Sequence, residues 1–158
     1  KGGGVLLELS HEIDYANYLF GDLTPVYNVL SKKMKLNVDI FDSALIIAKN
    51  TNTNILFNLS IGSFLTERLI IIESQLKTYY CDLNKNKIKI YEKNKFRKIK
   101  LNKFNINNTY IDELKSFFND KKNLCTYNEA LNTLTFIDKV NIKWEYYVLY
   151  VLEKDQKD

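Results

Sequence analysis

Apolar residues recur at steps of three and four near the start of the chain, at Leu6, Leu9, Ile13, Ala16 and Phe20. That spacing predicts an amphipathic helix over residues 5–20. Gly21 stops it, and Pro25 permits a new extended start. The pattern then shifts toward strands. Residues 26–36 read as one, and 44–48 form a short apolar run. The polar turn NTNTN at 50–54 leads into a returning strand at 55–61, so this pair reads as a hairpin. Residues 65–72 predict a further strand with Thr66, Arg68, Ile70 and Ile72 on one face, and 78–83 continue extended. Residues 87–91 and 96–101 form a second hairpin around a turn at 92–95. After Asn107 and Asn108 the period becomes helical, with Tyr110, Ile111, Leu114, Phe117 and Phe118 on one side. Asn108 or Thr109 serves as the cap, and Asp112 and Glu113 lie in the first turn. A last helix at 128–140 turns Ala130, Leu131, Leu134 and Ile137 inward, followed by an apolar, aromatic tail at 144–152.

Strands follow strands, with helices before and after them. This order predicts an α+β fold: an open, mainly antiparallel (mixed) sheet with helices packed on one face. Nothing marks a linker, a repeat or a second domain, so residues 1–158 read as one domain. Several strands carry apolar residues at both parities, and the uncovered face is expected to bury itself against a second copy as a homodimer.

Composition narrows the class. The 158 residues are 46% hydrophobic and 27% charged, which suits a folded domain. The net charge is +4, with lysines densest over residues 85–103. That patch has aromatic neighbours, but no nucleic-acid motif accompanies it. It reads as an edge hairpin whose charges discourage further pairing, and no nucleic-acid partner is expected. Cys81 and Cys125 stand far apart without ligand spacing, and with one histidine in the chain no metal site is expected. They read as two buried free thiols of a reducing, cytoplasmic compartment. No apolar run approaches about 20 residues, so no membrane partner is expected. The chain begins with Lys1 rather than Met, which suggests a part of something longer.

The candidate chemistry lies in the first helix, GGGVLLELSHEIDYANYLFG. It holds the sole histidine, His11, among acids, directly after Gly2, Gly3 and Gly4. A histidine can pass protons near neutral pH. Glycines let backbone approach a ligand or another segment closely. Glu12 reads as a surface acid.

These residues resemble the opening of the C-terminal domain in the Gfo/Idh/MocA oxidoreductases, the glucose–fructose oxidoreductase and inositol dehydrogenase family. The shared pattern is GGG, an apolar stretch, an acid, the histidine, and an aspartate before a closing glycine. Later segments agree in order: Arg68 with the Ile70–Ile72 alternation, YIDELKSFF, and EALNTLTFIDKV. The resemblance spans residues 2–140 and implies a substrate-binding and dimerisation domain. Its partner would be an N-terminal Rossmann domain, absent from this chain, that binds NAD or NADP. By position, His11 would be the catalytic acid/base at a hydroxyl of a sugar, sugar derivative or cyclitol. Glu8, Asp14, Gly3, Gly4 and Arg68 would contact the substrate. Departures exist. The family often places an aspartate four residues before the histidine, whereas Glu8 is three before. Glycines usual after the arginine are replaced by Ser74 and Lys77, and the tail after Val140 differs. There is no G-x-G-x-x-G after a strand, so the chain alone is expected to be inactive. A second reading is a non-catalytic binding or dimerisation module without the cofactor half.

Overall fold

The computed structural model describes residues 3–34, 39–101, 105–119 and 124–155; for Ile106 and for residues 142–155 it describes the backbone alone. The element order is α1 (Gly4–Glu8), α2 (Ser10–Phe20), β1 (Thr24–Ser31), β2 (Ser43–Lys49), β3 (Asn54–Ser60), β4 (Leu69–Glu73), β5 (Thr78–Asp82), β6 (Lys87–Glu92), β7 (Lys95–Lys100), α3 (Ile106–Asn119) and α4 (Tyr127–Asp155). The α+β class holds. Among the described residues every strand pairing is antiparallel, and the strands form two sheets, β1-β2-β3 and β4-β5-β6-β7. The chain correspondingly divides into two compact units. One holds α1, α2, β1–β3 and α4; the other holds β4–β7 and α3.

In the first unit, β1 and β2 pair from Thr24 with Lys49 to Ser31 with Ser43, with one irregularity between Pro25 and Tyr27. The β2–β3 hairpin turns on Asn50. Its side-chain oxygen accepts from the backbone N–H groups of Asn52 and Thr53, both at 2.9 Å. This is the Asx turn that an asparagine makes readily. Alternation then decides the faces. Ala44, Ile46 and Ala48 of β2 point into the core, with Leu30, Phe57 and Leu59 beside them. Helices α1, α2 and α4 supply Val5, Ile13, Ala16, Phe136, Ile137 and Val140 to the same core. Phe136 meets the edge of Phe57 at 5.9 Å between ring centroids, a favourable aromatic geometry.

Two expectations about the helices change. The predicted single helix is broken at Leu9, where φ is −109° and ψ 24°, so Glu8 closes α1 and His11 lies in the first turn of α2. The inward face of α4 is Thr133, Phe136, Ile137 and Val140 rather than Ala130, Leu131 and Leu134, which are exposed. The 3,4 spacing was legible, but two offset sets of residues satisfy it. α4 also begins one residue earlier than expected, with a capping box. The Thr126 N–H donates to Glu129 Oε2 (2.7 Å), and the Glu129 N–H donates to Thr126 Oγ1 (3.3 Å). The aromatic side chains at 144–147 lie outside the described residues.

In the second unit the register runs Leu69–Asp82, Thr78–Tyr91 and Lys87–Lys100 at successive ladder ends. One face gathers Ile70, Ile72, Tyr79, Cys81, Ile88 and Ile90. Helix α3 starts at Ile106, and its cap is Asn105, whose side chain accepts from the Asn107 N–H at 3.0 Å, not Asn108 or Thr109. Its apolar residues Tyr110, Ile111, Leu114, Phe117 and Phe118 are exposed rather than buried. Among the described residues no helix is long and apolar enough to cross a membrane. Cys81 is half-buried and Cys125 exposed, both free, which corrects the expectation of two buried thiols.

The loop after β1 is held by a buried carboxylate. Asp42 is 2% exposed. It accepts backbone N–H bonds from Lys33 (2.9 and 3.0 Å) and Met34 (2.6 Å). The Asp42 N–H itself donates to Ser31, and the Ile61 N–H donates to the Asp42 carbonyl. The Lys33 and then the Met34 N–H groups hold the carboxyl below the usual carboxylate range. Its stabilising contribution is therefore present above the ordinary carboxylate pKa and disappears as pH falls through that range and below. Asp42→Asn should be less stable than the wild type at neutral pH. The gap between the two should narrow on acidification when denaturant midpoints are measured from pH 7 to pH 3.

Candidate functional site

The expected site residues fall in different places. Gly3, Gly4, Glu8, His11 and Asp14 lie on α1 and α2 of the first unit. Arg68 lies in the second unit, one residue before β4. It is exposed, and its carbonyl accepts the Leu83 N–H at 3.0 Å.

Gly4 needs to be glycine. Its φ is +74°, and a Cβ there would stand 3.1 Å from the Phe41 carbonyl oxygen. The next residue, Val5, donates its N–H to that same carbonyl at 2.8 Å. The close approach is thus between α1 and the chain's own backbone ahead of β2. Gly3 has φ −84° and is exposed, but a Cβ there would stand 2.7 Å from both Cβ and Cδ1 of Leu7, so Leu7 would have to shift. A dinucleotide phosphate needs free N–H groups at a helix start after a glycine loop. Here α1 has five residues, and the Val5 N–H is already taken. The start of α1 does not form such a phosphate cradle.

His11 is open to solvent, its side chain 52% exposed, and its Nε2 lies 3.1 Å from Glu12 Oε1. Glu12, expected as a surface acid, is instead largely covered at 12%. The Tyr15 hydroxyl donates to its other oxygen, Oε2. Sequence reasoning passed over Glu12 and Tyr15. The available signal was spacing, since Tyr15 stands three residues after Glu12 and four after His11, both same-face offsets.

Asp14 turns the other way. Its Oδ1 accepts the Thr133 hydroxyl at 3.0 Å, with Thr133 buried, so it fastens α2 to α4. Glu8 is exposed at the end of α1. Because the helix breaks at Leu9, Glu8 and His11 do not share one helix, and their three-residue spacing does not put them on a common face. Among the described residues no cluster of His, Cys, Asp and Glu is placed to hold a metal ion.

The lysine-rich segment is the β6–β7 hairpin, with β7 at the sheet edge. Lys87 lies opposite Lys100 and Lys89 opposite Lys98. Lys85 pairs with Asp82 at 3.1 Å, and the Lys89 ammonium sits over the Tyr80 ring at 4.9 Å.

No family model matches the chain, and no curated protein matches it. Solved structures do share its fold. UDP-N-acetylglucosamine 3-dehydrogenase GnnA from Acidithiobacillus ferrooxidans is similar at 19% identity and TM-score 0.73, over 87% of this chain and 46% of that one. KijD10 from Actinomadura kijaniata, a 3-ketoreductase solved with TDP-benzene and NADP, is similar at 13% identity and TM-score 0.69, over 89% of this chain and 47% of that one. A super-repressor mutant of Gal80p from Saccharomyces cerevisiae is similar at 16% identity and TM-score 0.55, over 73% of this chain and 36% of that one. The chain spans about half the length of the first two structures. Its fold is that found in one part of Gfo/Idh/MocA-type oxidoreductases, as the resemblance implied.

If the glycine is required by backbone geometry, Gly4→Ala should cost about 1–2 kcal/mol from left-handed strain. Gly3→Ala should cost less, because its φ is unstrained and the Leu7 side chain it crowds is half exposed and can move. Urea unfolding of the two variants against the wild type checks both.

Proposed function

We propose that this chain is the substrate-binding and dimerisation part of an NAD(P)-dependent oxidoreductase acting at a hydroxyl of a sugar, sugar derivative or cyclitol. The observation that carries this reading is His11. It is the chain's one histidine, it sits in the family-like motif, it is half exposed, and a carboxylate anchors it. The similarity to GnnA, a UDP-N-acetylglucosamine 3-dehydrogenase, and to KijD10, a 3-ketoreductase solved with NADP, supports the general reaction type. The nicotinamide, which would exchange hydride with the carbinol carbon, would be held by a dinucleotide-binding half outside these residues. His11 would take the hydroxyl proton in oxidation and return it in reduction, a role that suits a neutral imidazole. Glu8 and Gly3, both exposed on α1, are proposed to line the substrate beside His11, while Gly4 is taken up by the Phe41 contact and Asp14 by Thr133. The chain alone would be inactive and cytoplasmic.

The dimer belongs to the same reading. Tyr27 lies opposite Ile47, which lies opposite Leu56, and Val29 lies opposite Leu45. All five are exposed, Leu56 at 64%. They make a continuous apolar band on the side of the β1–β3 sheet away from its core, an arrangement suited to a two-fold partner. The lysines of β6–β7 are proposed to blunt the sheet edge rather than to bind nucleic acid.

The similarity to a Gal80p super-repressor favours a second reading, a binding or dimerisation module without catalysis. The native polypeptide's intact mass separates the two, because catalysis needs a dinucleotide-binding half joined to this one. In a polypeptide with both halves, His11→Ala should lower kcat by about 10²–10⁴-fold, the usual scale for general acid–base catalysis, with NAD(P) affinity nearly unchanged. Unaltered turnover would remove His11 from the chemistry. Sedimentation of this chain should give about twice its 18.6 kDa, and Leu45→Asp should return it to the monomer. A wild-type monomer at high concentration would end the dimer reading.

A further inference from the structure

We propose that Glu12 is a positioning residue for His11. In this arrangement it fixes the proton of the neutral ring on Nε2 and presents Nδ1 as the atom that accepts the substrate proton. The inference rests on the proposed role of His11 in proton transfer, but its geometry stands on the chain's own residues.

Glu12 Oε1 lies 3.1 Å from His11 Nε2. An ionised carboxylate can only accept hydrogen bonds and repels a lone pair, so its closeness favours the hydrogen on the nitrogen it faces. In a neutral imidazole the other nitrogen, Nδ1, then bears the lone pair. Three features keep Glu12 in this role. Its second oxygen, Oε2, accepts the Tyr15 hydroxyl. Its backbone N–H donates to the Leu9 carbonyl at 3.0 Å, which fixes the residue in the opening turn. It stands in the first turn of the eleven-residue α2, next to His11 on the same helix.

Burial separates anchor from reagent. Glu12's side chain is 12% exposed and His11's 52%. The covered carboxylate is therefore shielded from water, while the ring it holds stays open to a ligand. Tyr15 and His11 share one helix face at i,i+4, and Glu12 links them. Asp14, the acid next along α2, is bound to Thr133 and does not compete for the ring. The break at Leu9 also takes Glu8 out of the helix that carries His11. Glu12 thus supplies the orienting acid that the sequence pattern would have sought upstream of the histidine. When the substrate hydroxyl gives its proton to Nδ1, the ring becomes imidazolium with both nitrogens protonated. The O–H bond breaks and the N–H bond forms. The positive charge is met by Glu12's negative one, with no further co-reactant in this step.

The chain has one histidine, so its ring signals are unambiguous in ¹⁵N-labelled protein. Long-range ¹H–¹⁵N spectra at alkaline pH should show a single Nε2–H tautomer in the wild type, its proton protected from solvent exchange. Glu12→Gln should lose that protected resonance and average the tautomers. Tyr15→Phe should keep the tautomer but exchange the proton several-fold faster. A wild-type ring with averaged tautomers, or with the proton on Nδ1, would overturn the proposal without needing any variant to fold. So would an unchanged resonance in folded Glu12→Gln. A protected Nε2–H combined with full turnover in His11→Ala would sink the proposed function and leave the positioning role intact, which separates the two failures. In a polypeptide with both halves, Glu12→Gln should lower kcat with KM nearly constant, and Glu12→Asp should restore part of it.

Discussion

One backbone hydrogen bond, from Val5 to the carbonyl of Phe41, sets where the first helix starts and so bears on where the candidate residues of α1 and α2 stand. It is possible because Gly4 adopts a left-handed φ that other residues reach only at a cost. The carbonyl it meets belongs to the residue before Asp42, whose buried carboxylate gathers the Lys33 and Met34 N–H groups. The Asp42 backbone also bonds to Ser31 and Ile61. Helix start, β1 end, β2 start and β3 end are thus joined through two consecutive residues. A change at this junction would reach His11 through the position of α1, without touching the ring.

The three acids that follow on and beside α2 show how one short segment sorts similar side chains into different tasks. Asp14 faces α4 and meets a buried hydroxyl, so it is spent on packing. Glu12 lies under His11 and meets a ring nitrogen and a phenol. Glu8 is exposed on the far side of the break at Leu9. Nothing in the identity of the three predicts this assignment. Offset along the helix and the position of the break decide it.

Much of the fold was legible from the chain itself. Alternation placed β1–β3 and both hairpins within a few residues, because a strand with one buried face states its parity directly. The NTNTN turn worked for the same reason, since Asn50 can cap the turn with its own side chain. The failures share one cause. The break at Leu9, the buried face of α4 and the cap of α3 depend on which of several equivalent local solutions tertiary contacts select. Thr133, Phe136, Ile137 and Val140 are as well spaced as Leu131 and Leu134, and only the packing of Phe136 on Phe57 distinguishes them. The site was half legible. His11 is conspicuous as a lone histidine in a recognisable motif, whereas Glu12 reads as a solvated acid until its covering is seen.

The second unit shows the opposite balance between local pattern and energetics. Its register sets lysine against lysine twice across β6 and β7, an arrangement that is unfavourable between directly opposed like charges. The Lys87 ammonium is held below its ordinary range, first by Lys98 across the ladder. The Lys85–Asp82 pair and the Tyr80 ring beneath Lys89 offset part of this. Two local features fix the register: Ile88 faces Ile99 across the ladder, and only Lys93 and Asn94 separate the paired Glu92 and Lys95, with Lys93 at φ +42° as a tight hairpin turn requires. A slip of one residue would relieve the lysines, but it would break the tight turn and turn Ile99 away from Ile88. Apolar burial is worth about 25 cal/mol per Å², while exposed charges in water interact weakly at such spacing. The turn and the isoleucine pair therefore fix the register, and the lysine opposition is the consequence the hairpin tolerates.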